Sequence, residues 1–147
     1  MRKSVLVSFA AALAIAGCGT TSTSQIAERP TNKLDTSDIK INGDASDPAN
    51  RLAVEAIADL QAYWAKEYPE LYGEEYQPVA GGFYAVIPSS GDLPPCTDDI
   101  NEISGNAFYC STEDVVAWDA EGLLPDLRSR FGDFVIPVVM ALSLIHI

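Results

Sequence analysis

The 147-residue chain has one histidine, His146, next to its last residue. That scarcity excludes a Ser/His/Asp relay from the body of the chain, because such a relay needs an imidazole between nucleophile and carboxylate. Basic residues are also few: nine Lys and Arg stand against 21 Asp and Glu, a net charge of −12, and no lysine follows Lys66. A chain without a basic stripe has no electrostatic footprint for nucleic acid or for anionic lipid headgroups. No repeat, no Gly-rich phosphate loop and no G-x-S-x-G elbow occurs. Asp98, Asp99 and Glu102 gather acid in one loop, but without the twelve-residue spacing of an EF-hand they read as solvated charge.

Only three cysteines are present, and the first belongs to a secretion signal. Arg2 and Lys3 form a positive start. Val5–Ile15 is then an apolar run of eleven residues broken only by Ser8, too short for a stable membrane span. It ends in Ile15-Ala16-Gly17-Cys18, the pattern of a bacterial lipobox, so 1–17 is expected to be removed and Cys18 lipidated. Lipid chains contribute ~0.8 kcal/mol per buried CH₂, which makes such an anchor durable. The mature chain then carries seven basic residues against 21 acidic, a net charge of −14. In an exported protein the two remaining cysteines, Cys96 and Cys110, are expected to form a disulfide. A metal site is the weaker alternative, since C-x13-C without a nearby histidine is poor ligand spacing.

Residues 18–45, after the lipidated Cys18, are rich in Thr, Ser, Asn and Asp and predict a flexible tether, with at most a brief edge strand at Ile39 and Ile41. Folded structure is expected from Ser46-Asp47-Pro48, where Asp47 suits an N-cap and Pro48 the first helical turn. Ala53, Ile57, Leu60, Trp64 and Tyr68 recur at helical spacing and predict an amphipathic helix of roughly 20 residues. Trp64 and Tyr68 are read as core rather than as a binding stripe. Phe83–Ile87 predicts a central strand, and Ser89–Asn106 a long loop tied down by the cysteine pair. Short strands are expected at Ala107–Cys110 and Val115–Trp118, followed by two helical segments. The second begins near Asp133 and is almost wholly apolar, with Pro137 tolerated in its first turn.

These last elements resemble a family. GNAFYC at 105–110, VVAWD at 115–119, LLPDLRSRFG at 123–132 and FVIPVVMA at 134–141 are similar to segments of the neutral zinc metallopeptidases of actinobacterial envelopes. In that family the helix continues from the Met-Ala pair into H-E-x-x-H, two histidines on one helical face that grip zinc, with the glutamate as general base. Here Leu142 and Ser143 stand where the first histidine and the glutamate fall, and only His146 matches, by coincidence of position. One back-translation of Leu142–Ile147 equals the end sequence used in transposase-based library preparation. Residues 142–147 are therefore read as a non-native tail.

The resemblance implies an α+β, incomplete zincin-like domain over 46–141: an N-terminal amphipathic helix, a small twisted sheet and the start of the active-site helix. It implies zinc and a peptide or protein substrate for the full-length form, and no cofactor for the chain as written. In such folds an edge strand above the metal helix pairs with substrate, and Val115, Val116, Ala117 and Trp118 are the expected edge. Two functions follow as expectations. One is the N-terminal fragment of a membrane-anchored neutral zinc metallopeptidase, facing the extracytoplasmic side. The other is a non-catalytic envelope lipoprotein that kept the scaffold without the metal site.

Overall fold

A computed structural model describes residues 35–145. The expected signal peptide, the expected lipidation site Cys18, most of the expected tether and His146 lie outside the described residues. Strand β1 spans Ile41–Asn42, helix α1 Pro48–Tyr72 and strand β2 Gly82–Val86. After a 3-10 turn at Pro88–Ser90 come the short helix α2, Ile100–Ile103, and strands β3, Ala107–Cys110, and β4, Val115–Asp119. Helices α3, Leu123–Phe131, and α4, Val135–Leu144, complete the domain. The sheet order is β1-β2-β4-β3, with β3 antiparallel on β4 and the other pairs parallel. The described chain is thus a mixed α+β fold of four helices on a four-stranded mixed sheet.

Helix α1 starts where its cap dictates. The Asp47 carboxylate accepts from the Ala49 and Asn50 N–H groups at 2.8 and 3.0 Å, and Pro48 occupies the first turn. The helix ends at Gly73, whose φ of 74° is a conformation glycine adopts without strain. Its buried face begins with small residues, Ala49, Ala53 and Ala56, and α4 is the element it packs against most extensively. Phe83, Ala85, Val116 and Trp118 meet it from one sheet face, with Ile136, Met140 and Leu144 of α4 completing that core. The opposite face carries a smaller cluster of Val86, Ile103 and Ala117, covered by the loop that contains α2. Strand alternation produces this division, since Phe83 and Ala85 share one face while Tyr84 and Val86 share the other.

Trp118 is wholly buried, and its Nε1–H donates to Asn50 Oδ1 at 2.9 Å. The Asn50 amide in turn donates to the Asp44 carbonyl at 2.9 Å, so one buried side chain joins α1, β4 and the segment ahead of α1. Ile41 and Asn42 pair with Phe83 and Tyr84, so the brief edge strand allowed at Ile39 and Ile41 forms at 41–42 and regular structure starts ahead of 46. Two apolar side chains, Ile39 and Ile41, packed on the core supply the reason. Phe83–Val86 is central as expected, flanked by β1 and β4. Trp64 and Tyr68 are not part of the core. With Tyr72 and Tyr76 they line a surface cleft against the end of α4.

Candidate functional site

Strand β4 is internal, hydrogen-bonded to β2 on one side and β3 on the other. This corrects the expectation for Val115, Val116, Ala117 and Trp118. Each is at most 1% exposed, and the backbone between them has no free edge to offer. The edge on this side of the sheet is β3, one strand earlier in sequence. The order was missed because the Ser111–Asp114 turn folds β3 to the outside of the strand that follows it.

Asp119, at the end of β4, fixes this edge. It is 2% exposed, and its Oδ1 accepts from the Glu121 and Gly122 N–H groups at 2.8 and 2.7 Å. Its Oδ2 accepts from the Gly105 N–H at 2.7 Å. One carboxylate therefore holds the turn into β3 and the turn into α3 together. Gly122 is required beside it, because a Cβ there would fall 2.7 Å from Asp119 Oδ2. Gly105, with φ of 70°, makes the turn that an L side chain would strain. Asp119 follows an apolar strand and precedes Ala-Glu-Gly, a pattern that does not set it apart from a solvated turn residue.

Three further contacts place β3. The Tyr109 hydroxyl donates to Asp114 Oδ1 at 3.0 Å, while Asp114 Oδ2 accepts from the Ala80 N–H at 2.6 Å. Burial, followed by the bond to Asp114, raises the Tyr109 phenol above its ordinary range. A proton held more tightly in the folded state keeps this contact intact below the usual tyrosine range, and the contact is lost as pH rises through the raised value. The far end of β3 carries the expected disulfide, Cys96–Cys110, with Cα atoms 6.4 Å apart.

Between β3 and the helices runs a groove of about 320 Å³. Ala107 and Tyr109, whose side chains share the face that α4 covers, form the strand side, and Leu123, Leu127, Val139 and Leu142 the helical side. A bay of about 390 Å³ lies beside β1 and is lined by Tyr84, Leu93 and Asp92. Both hollows border an edge strand, but β1 has two residues and β3 has four, so the β3 groove offers the longer open edge to an extended ligand.

The α4 residues at the positions of the expected metal site do not fit zinc. Leu142 is an aliphatic side chain 61% exposed, and the Ser143 hydroxyl donates back to the Val139 carbonyl at 3.1 Å. Among the described residues no three of His, Cys, Asp or Glu converge as a ligand set. Also among the described residues, no helix is long and apolar enough to cross a membrane.

Set against known protein families, curated proteins and solved structures, the chain matches none.

Proposed function

We propose that the chain is the N-terminal part of a membrane-anchored neutral zinc metallopeptidase, and that an extended peptide lies along the open edge of β3. The observation that carries this reading is the pairing of an antiparallel edge strand with an apolar groove against α4. Strand addition supplies main-chain hydrogen bonds, and alternate side chains of the added strand enter the groove. The motifs at 105–110, 115–119, 123–132 and 134–141 support the family, and zinc-activated water would supply the hydrolysis in the parent protein. Since the described residues do not form a zinc site, their part is binding and orientation, and no step of hydrolysis is assigned to them. The domain is held at the extracytoplasmic face of the membrane through Cys18. Cys18→Ser is expected to release the protein from the membrane fraction, and unchanged membrane association would contradict the anchor.

A second reading, a non-catalytic envelope lipoprotein, applies where Leu142–Ile147 is the natural sequence, because Leu142 and Ser143 then stand at the positions of a metal ligand and the general base. An independent read of the gene separates the two. Codons for His-Glu-x-x-His after Ala141 are expected, and a natural stop after Ile147 would instead establish the lipoprotein.

A further inference from the structure

The Asp119 N–H donates to the Asn106 carbonyl at 2.9 Å, which fixes the phase of the β3–β4 ladder. Antiparallel alternation then turns the polar groups of Phe108 and Cys110 toward β4, and those of Ala107 and Tyr109 toward the open edge. The open edge is not uniform. Asn106 Oδ1 accepts the Ala107 N–H at 2.9 Å, which withholds that donor from any incoming strand. The Asn106 side chain is itself held in place, since its Nδ2 donates to the Glu102 carbonyl at 2.9 Å. Its backbone N–H is bonded to the Ile103 carbonyl at 2.9 Å. At the other end of the strand, Cys110 is tied to the loop through Cys96. Among the described residues, what remains open is the Ala107 carbonyl and both polar groups of Tyr109.

From this we propose that Asn106 sets the register of an extended peptide on β3, so that an antiparallel strand centres on Tyr109 and exchanges both of its hydrogen bonds there. The inference rests on the reading that β3 is the docking edge. Asn106 is a positioning residue. By occupying the first free donor it also blunts the edge against pairing with further sheets.

Amide exchange followed by NMR on the full chain tests this, with a blocked hexapeptide of alternating threonine and leucine as the probe. In the free protein the Ala107 amide should exchange slowly and the Tyr109 amide fast. The peptide should protect Tyr109 and leave Ala107 unchanged. Asn106→Ala should make the free Ala107 amide fast, let the peptide protect it, and tighten binding by about three- to tenfold, the equivalent of one added hydrogen bond. Asn106→Asp keeps the acceptor and should behave as the unaltered protein. Two results overturn the register while leaving docking intact: a fast Ala107 amide in the free unaltered protein, or rapid Tyr109 exchange in the complex with Ala107 newly protected. A peptide that protects neither amide overturns the docking reading and the register with it. The arms on the unaltered protein decide the matter even where Asn106→Ala fails to fold.

Discussion

Asp119 is a buried carboxylate that accepts three backbone N–H bonds and, among the described residues, forms no ion pair. Bonds to a charged acceptor are each worth more than neutral ones, and removing the acceptor leaves buried donors unpaired. Asp119→Ala is therefore expected to cost about 3 kcal/mol, read as a lower urea midpoint. A loss under about 1 kcal/mol would show that water replaces the carboxylate and that the two turns are held by other means. Asn50 has the same character, a buried amide whose Oδ1 and Nδ2 are both used. None of this was legible in the sequence. An Asp in an Ala-Glu-Gly turn and an Asn on the first turns of a helix look like solvated residues. Their value comes from partners 14 and 68 residues away.

The helices and strands were far more legible, because caps and periodicity are local. Asp47-Pro48 gave the start of α1, and the apolar spacing gave its core-facing side as far as Leu60, which packs half-buried against the core. Beyond that the spacing misled. Trp64 and Tyr68 keep the helical period past the edge of the sheet, where nothing in the described domain covers them fully. The β3 and β4 spans were also readable, but not which of them lies outside, since strand order depends on pairing rather than composition. The cysteine pair was readable from compartment and spacing. Its closure of β3 onto the loop is expected to stabilise the domain by ~3 kcal/mol in the chain-entropy model. Replacing both Cys96 and Cys110 with serine should lower the melting temperature accordingly. Unfolded, unreduced protein that shows two reactive thiols would remove the bond from the account.

The described domain as a whole presents apolar surface that a solitary soluble protein rarely leaves open. Val138 and Leu142 on α4, with Phe134 and Ile145 at its two caps, follow one another at helical spacing, from 40% to 77% exposed, and Phe131 adds to them at 67%. Contiguous patches of this kind mark interaction surfaces or association. Leu142 and Ile145 belong to the tail read as non-native; in the proposed parent protein the genuine segment after Ala141 replaces them and is expected to cover Phe134 and Val138, which links metal binding to solubility. The most direct test is the zinc content of purified protein carrying the genuine residues that follow the Ala141 codon, measured beside peptide cleavage. The account predicts one zinc per chain, removed by a chelator together with the cleavage activity and restored with it, in a protein that no longer self-associates. Soluble, folded protein that holds no stoichiometric zinc and cleaves no peptide would contradict it.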